Sequence, residues 1–453
     1  MAITSAVGDE RYEFDSFRTL LAKANEQKSG DELAGIAARS EAERVAAKDA
    51  LSRVTLRELR ENPVVPVADD EVTRVIQDAI EESSYEHIAD WTVADLREFL
   101  VDSTTRDDDI REIRAGLTSE MIAAVTKLMS NMDLVLVASK MTVTARCNTT
   151  IGEPGTLSFR LQPNDPTDDT QNMLDAIREG LSYGAGDALI GVNPVADDVA
   201  NTMAILEATA EFIEEWNVPT QNCCLSHITT QMDAVRDGAP ADLLFQSLAG
   251  TEAGNEEFGV DVALLDEAHD LGQRRCRSSG PNVMYFETGQ GSELSGDAHE
   301  EVDQLTLESR CYGLAKRYDP FIVNTVVGFI GPEYLYDGRQ VIRAGLEDVF
   351  MGKLHGISMG IDACYTNHIQ ADQNDIENLA VLLAAAGTNY FITVPMGDDV
   401  MLNYQSNSFH DAAALREIFD LDPIESFAEW LDEMELFENG RPTERAGDPT
   451  VFT

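Results

Sequence analysis

A chain of 453 residues is longer than one ordinary hydrophobic core, so two domains, or one large barrel with an extension, are expected. Its apolar fraction of 43% argues against wholesale disorder, and no apolar run approaches the roughly 18 to 20 residues of a membrane span. The net charge of −49 excludes general binding to phosphate backbones.

Residues 1 to about 150 read as mainly helical. Phe17 to Asn25 and Ser40 to Arg53 carry apolar residues at helical spacing, Pro63 and Pro66 interrupt the pattern, and Thr92 opens a segment with Leu96 and Leu100. Cys147 to Thr156, with Gly152, Pro154 and Gly155, marks a boundary. Beyond it, from 151 to 453, strand-like and amphipathic helical runs alternate. The predicted strands are Leu157–Gln162, Ala188–Asn193, Cys223–Ile228, Leu243–Ser247, Val283–Glu287, Phe321–Val327, Ile357–Asp362 and Tyr390–Val394. After the second, Val199, Met203, Leu206, Ala210 and Ile213 step by three or four along one face. Eight β-then-α units predict a (β/α)8 TIM barrel of the α/β class, behind a helical N-terminal extension. An open doubly wound sheet is the alternative, weakened because no Gly-rich dinucleotide fingerprint follows the first strand.

Alternation along the strands sets Leu157, Phe159 and Leu161 against Ser158, Arg160 and Gln162, and Ile357, Met359 and Ile361 against Ser358, Gly360 and Asp362. One face suits outer helices. The other is small or polar, where ordinary barrels place bulky branched side chains. Arg160, Gln162, Asn193, Gln246, Ser247, Glu287 and Asp362 all fall at the C-terminal ends of strands, the active-site face of such barrels. Each alone could be a satisfied structural group; five strands repeating the pattern point to a site. Two carboxylates and two amides suit a small cation with several donors, since an ammonium offers three donors and no acceptor. Arg160 suits a hydroxyl oxygen or a neighbouring carboxylate.

Other signals are weaker. Cys223, Cys224 and His227 form CCxxH, and Cys364 with His368 forms CxxxH, neither a full zinc set. A metal hydrolase using Asp362 and His227 stays open as an alternative, as does a barrel that has lost its chemistry. The six cysteines show no CxxC spacing, which fits a reducing cytoplasm, and Met1 to Glu10 lacks the features of a signal peptide. Lysines number only seven, and carboxylates run along the whole chain. This distribution suits a solvated acidic surface in a salt-rich cytoplasm better than one cationic docking patch.

Longer stretches carry a resemblance. They are Arg160-Leu161-Gln162-Pro163-Asn164-Asp165, Gly191-Val192-Asn193-Pro194-Val195, Tyr285 to Ser292, Asp319 to Tyr336, and Gly397-Asp398-Asp399 followed by Met401 to Gln405, with Lys23-Ala24-Asn25 and Ser29-Gly30-Asp31 near the start. Over nearly its full length the chain resembles the ethanolamine ammonia-lyase large subunit family. The resemblance implies a radical deamination of ethanolamine to acetaldehyde and ammonia. It also implies a small-subunit partner, adenosylcobalamin at the subunit interface, and homo-oligomerisation of large subunits within a hetero-oligomer. By motif match Arg160, Gln162, Asn193, Glu287 and Asp362 are catalytic substrate contacts, and Phe329 and Leu402 line the pocket. Pro194, Gln246, Ser295 and Met401 are cofactor contacts, with Ser247 and Val326 beside them. The nucleotide base of the cofactor would stay on cobalt, so no DxHxxG motif is needed. The near match Glu267-Ala268-His269-Asp270-Leu271-Gly272 lies in a helical run and reads as a chance likeness. A cytoplasmic location follows, free or inside a bacterial-type microcompartment.

Overall fold

Period-two alternation and the helical runs between them resolve into eight parallel strands. The computed structural model describes residues 3–452 apart from 292, 293, 295–297, 329, 330, 332 and 439. The strands are β1 (Ser158–Leu161), β2 (Leu189–Val192), β3 (Asn222–Cys224), β4 (Leu244–Ser247), β5 (Met284–Thr288), β6 (Ile322–Val327), β7 (Met359–Ala363) and β8 (Tyr390–Thr393). The helices that follow them are α1 (Thr170–Ser182), α2 (Val199–Trp216), α3 (Ile228–Arg236), α4 (Val262–Arg275), α5 (Gln304–Ala315), α6 (Gly338–His355), α7 (Gln373–Ala385) and α8 (Phe409–Phe419). Six of these helices start on an aspartate cap: Asp169, Asp198, Asp261, Asp303, Asp337 and Asp372. A carboxylate there accepts from free first-turn N–H groups and faces the positive end of the helix dipole.

The sheet order is β3-β2-β1-β8-β7-β6-β5-β4. This is the circular order of a (β/α)8 barrel, cut at one seam between β3 and β4. Side chains close that seam. The Asn222 and Asp242 backbone N–H groups donate to each other's side chains at 2.9 and 3.0 Å. Gln231 of α3 accepts from the Phe245 N–H at 2.9 Å and donates to the Phe245 carbonyl at 2.8 Å. A side-chain amide carries the same donor and acceptor as a peptide unit, so Gln231 stands in for a strand residue. This is why β3 ends at Cys224 and not at Ile228, where α3 already begins.

Ahead of the barrel, Ile3–Val7 and Glu10–Phe14 pair as an antiparallel hairpin, which the sequence reading missed. The expected helices appear as Phe17–Ala24, Glu41–Ser52 and Val93–Val101, the last opened by a Thr92 capping box. The helices Ser119–Lys127 and Asn131–Ala138 pack on α5 and α6. Buried Arg310 of α5 anchors this contact, donating to Glu120 and Asp70 at 2.7 Å each. Among the described residues no helix is long and apolar enough to cross a membrane.

Candidate active site

The inner wall follows from strand alternation and register. β1 turns Ser158, Arg160 and Gln162 inward, while Arg416 of α8 lies over the Phe159 ring on the outside, 4.7 Å from its centroid. In register, Asn324 of β6 stands beside Glu287 of β5, and Val326 beside Asp362 of β7. The upper layer is polar, as alternation predicts. The floor beneath it is aromatic: Phe245 meets Tyr285 edge-on at 5.2 Å, and Tyr390 packs over Gly360, where a Cβ would come within 2.1 Å of the ring.

Arg160 is fully buried and reaches across the mouth. It donates from Nη1 to Gln162 Oε1 at 2.5 Å, and from Nη2 to Asn193 Oδ1 at 3.3 Å and the Gly191 carbonyl at 3.4 Å. Its Nη1 lies 3.8 Å from Glu287 Oε1, and the guanidinium sits over the Tyr285 ring. Tyr285 donates its hydroxyl to Glu287. Asp362 accepts from Ser406 Oγ at 2.5 Å and from the Tyr404 hydroxyl at 2.6 Å. Gln162 Nε2 donates to Asp399 at 2.8 Å and to the Tyr404 oxygen at 2.6 Å. Asn164 links both ends of this layer: it accepts from the Asn193 N–H at 2.8 Å and donates to Asp399 at 2.7 Å.

Gly191 has to be bare for Arg160 to lie there, because a Cβ would stand 2.6 Å from Arg160 Nε. Gly191→Ala is therefore expected to push the guanidinium off Gln162 and Asn193. A displacement of that size should cost about 10²-fold in kcat/KM. Steady-state kinetics paired with a thermal melt separates this loss from unfolding.

These groups enclose a chamber of about 130 Å³ lined by Gln162, Asn193, Glu287, Val326, Asp362, Leu402 and Tyr404. That is far below the few hundred Å³ of a drug-sized pocket, so it suits a molecule of a few heavy atoms. Burial pushes the Glu287 carboxyl up, opposed by Arg160 and the Tyr285 hydrogen bond. Burial also lifts Asp362 to about 6, against the bonds from Ser406 and Tyr404 and the Arg160 charge. Two carboxylates face one guanidinium, so with both ionised the cluster lacks one positive charge. A small cation would supply it and bring both carboxyls back down.

A second chamber, of about 420 Å³, adjoins the first and shares Glu287 and Val326 with it. Ser247, Gln246, Asp197, His227 and Phe258 border it. Gln246 spends its amide on the Ile228 N–H and the Ser247 carbonyl, both at 3.1 Å. Pro194 is half-buried next to Asn193, and Met401 is half-buried with its N–H held by Asp399 Oδ1 at 3.1 Å. Thus Arg160, Gln162, Asn193, Glu287, Asp362, Val326 and Leu402 are brought together, and Gln246 and Ser247 border the adjoining space. Ser295 and Phe329 lie outside the described residues. A separate groove of about 680 Å³ is lined by N-terminal residues between Ile3 and Ala68.

Sequence reading gave no role to Tyr404, Asp399, Ser406 or Tyr285. The stretches containing Tyr285, Asp399 and Tyr404 had been singled out; their side-chain roles depend on how the loop after β8 folds back. His227 does not join Asp362 in a hydrolytic pair. It caps α3, accepting from the Thr229 N–H at 3.3 Å, and its Nε2 is 3.0 Å from the Phe258 carbonyl, which can only accept. Cys223 and Cys224 are buried, the first directed to the Leu243 carbonyl and the second to Ser226. His269 sits within α4, near the Tyr318 ring.

The fold and the site define a barrel enzyme whose mouth holds a small acid-rich chamber opening onto a larger one. Comparison with known proteins gives the chemical class. The family model for the ethanolamine ammonia lyase large subunit (EutB) matches residues 12–445. The ethanolamine ammonia-lyase large subunits of Escherichia coli (strain K12) and Salmonella typhimurium (strain LT2) are each 56% identical over 441 residues, covering 97% of this chain and 97% of theirs. The chain belongs to the ethanolamine ammonia-lyase large subunit family and is a lyase.

Proposed function

We propose that this chain removes ammonia from ethanolamine, releasing acetaldehyde, together with a small subunit and adenosylcobalamin. The observation that carries the reading is the convergence of Gln162, Asn193, Glu287 and Asp362 on one chamber of about 130 Å³, with Arg160 bonded to Gln162 and Asn193 and 3.8 Å from Glu287. Glu287 would accept from both the hydroxyl and the ammonium group of the substrate. Gln162 and Asp362 would hold the departing amino group. Arg160 and Asn193 would donate to the hydroxyl oxygen, the Asn193 Oδ1 being taken by Arg160 and its Nδ2 left as donor. Leu402 and Val326 supply the apolar part of the lining and keep water from the reacting carbons. The chain's contribution is orientation and fixed electrostatics.

The residues fit the cofactor. The larger chamber has the volume of a nucleoside-sized group and touches the substrate chamber through Glu287 and Val326. Val195, Met396 and Val400, in the loops after β2 and β8, are exposed apolar side chains suited to a broad flat ring and to the small subunit. Pro194, Gln246, Ser247, Val326 and Met401, with Ser295, would hold the group. Homolysis of its cobalt–carbon bond would supply the carbon radical that takes hydrogen from the hydroxyl-bearing carbon. We place the enzyme in a reducing cytoplasm, free or inside a bacterial-type microcompartment, as a homo-oligomer of large subunits carrying small subunits.

The test combines both subunits with adenosylcobalamin and ethanolamine in high salt. Equimolar acetaldehyde and ammonia, with a substrate-dependent electron paramagnetic resonance signal, is the expected result. Neither product nor signal would overturn the assignment.

A further inference from the structure

We propose that Tyr404 is a positioning residue that makes Gln162 and Asp362 present only acceptors to the chamber, and so selects a protonated amine. The inference rests on the proposed substrate class and goes beyond it to how the amine is recognised. The loop after β8 folds back on itself: Asp398–Asp399 pairs antiparallel with Tyr404–Gln405. The Tyr365 and Gln405 backbones exchange two hydrogen bonds of 2.9 Å, which pin the loop to the end of β7. The Tyr404 ring is thereby buried, with its hydroxyl between β1 and β7.

The direction of each bond follows from chemistry. Arg160 can only donate, so Gln162 turns Oε1 towards it. The Asp399 carboxylate accepts, so Gln162 turns Nε2 towards Asp399. Tyr404 takes the second Nε2 hydrogen and passes its own hydrogen to Asp362 Oδ2. Both N–H bonds of Gln162 are now used. What remains for a ligand is a lone pair on Gln162 Oε1 and the free lone pairs of Asp362. An ammonium group needs acceptors alone.

Without the phenol oxygen, Gln162 has a spare N–H that repels an ammonium, and Asp362 loses one of the two donors that hold it ionised. The charged and titratable groups around Asp362 are Arg160 from β1, Glu287 from β5, Tyr390 from β8, Cys364 beside it, and Tyr404 and Asp399 from the loop. Tyr404→Phe leaves the other five in place. The Asp362 carboxyl, already up at about 6, should then rise further.

The experiment uses Tyr404→Phe and Ser406→Ala in the complete complex with small subunit and adenosylcobalamin. For Tyr404→Phe we expect KM for ethanolamine to rise about 10- to 100-fold, the range for losing hydrogen bonds around a charged group. The acid limb of kcat/KM should move to higher pH. Inhibition by ethylamine should weaken while inhibition by ethanol stays as in the wild type. Ser406→Ala removes an Asp362 donor, whose Oγ also lies 3.3 Å from the Ala363 carbonyl, and leaves Tyr404 on Gln162, so it should move the acid limb and leave the ethylamine-to-ethanol ratio nearer the wild-type value; Tyr404→Met, which likewise lacks the phenol, carries the test if Tyr404→Phe does not fold. Unchanged KM, acid limb and ethylamine inhibition in folded Tyr404→Phe would overturn the proposal. Failure of the wild type to release ammonia would instead strike the functional assignment, and ethylamine binding, read by calorimetry, would still judge the role of Tyr404.

Discussion

Glu287→Gln is expected to lower kcat/KM for ethanolamine by about 10³-fold and to leave the barrel folded. Of the two side chains shared by both chambers, Glu287 is the polar one. It stands where the larger space meets the smaller, 3.8 Å from Arg160. A carboxylate there can accept from a hydroxyl and an ammonium at once. An amide replaces one of those oxygens with a second donor group, so attraction becomes repulsion at one of the two contacts. The fold should survive. Tyr285 can still donate to the remaining oxygen, and Arg160 keeps Gln162, Asn193 and the Gly191 carbonyl. The residual activity carries its own signature. The Glu287 charge helps hold Asp362 up at about 6, so its removal lets Asp362 ionise at lower pH. The acid limb of the residual rate should therefore shift down, opposite to the shift expected for Tyr404→Phe. Kinetics across pH, with a thermal melt as control, reads both effects. Near-normal turnover would take Glu287 out of the central role.

The barrel was legible because each strand is short, alternating and followed by an amphipathic run. The site was legible because Arg160, Gln162, Asn193, Glu287 and Asp362 break apolar strands at the same end. Where sequence reading failed, the deciding interaction lay far along the chain. β3 is three residues long because Gln231 replaces backbone pairing at its seam with β4, and nothing local announces that exchange. Tyr404 and Asp399 lie on a loop with no regular period, and they meet Gln162 only through a separation of more than 230 residues. The hairpin at Ile3–Val7 and Glu10–Phe14 has strands of five residues rich in polar side chains, too short for alternation to stand out. Charge hid the most. In a chain of net charge −49 a lysine reads as a rare surface cation, yet four of the seven, Lys23, Lys28, Lys127 and Lys353, are buried. The acidic surface has dispensed with lysines and the interior has kept them.

One of those interior lysines carries the largest expected effect on stability. Lys28→Met should destabilise the fold by about 3–5 kcal/mol, the usual result of removing one member of a buried ion pair. Lys28 Nζ lies 2.7 Å from Glu347 Oε2, and both side chains are fully buried. Arg343 holds the other Glu347 oxygen at 2.6 Å. Gln290, just past β5, donates to Glu347 at 3.3 Å and to Asp348 at 2.7 Å, and Thr325 of β6 donates to Asp348 at 2.8 Å. The cluster thus ties the N-terminal segment to α6 and to the loop that follows Glu287. Lys28 and Arg343 hold Glu347 down at about 2 against its burial, while burial pushes the Asp31 and Asp348 carboxyls up. The signs fix the pH dependence. A depressed carboxyl stabilises the fold above its ordinary value of 4.5, and that contribution is lost as pH falls towards 2. Raised carboxyls act the other way: the fold is favoured while they are protonated and loses that advantage as pH rises through their folded values. Lys28 opposes the rise of both Asp31 and Asp348, so without it they resist ionisation more strongly. At about pH 8, Lys28→Met leaves Arg343 as the cation paired with ionised Glu347, beside the Gln290 amide, and makes ionised Asp31 and Asp348 more costly. At about pH 5 protonation can relieve much of that excess negative charge. Denaturant unfolding at both pH values should show the larger destabilisation at the higher one. An equal loss at both would mean that Lys28 acts through packing of its alkyl chain and not through its charge.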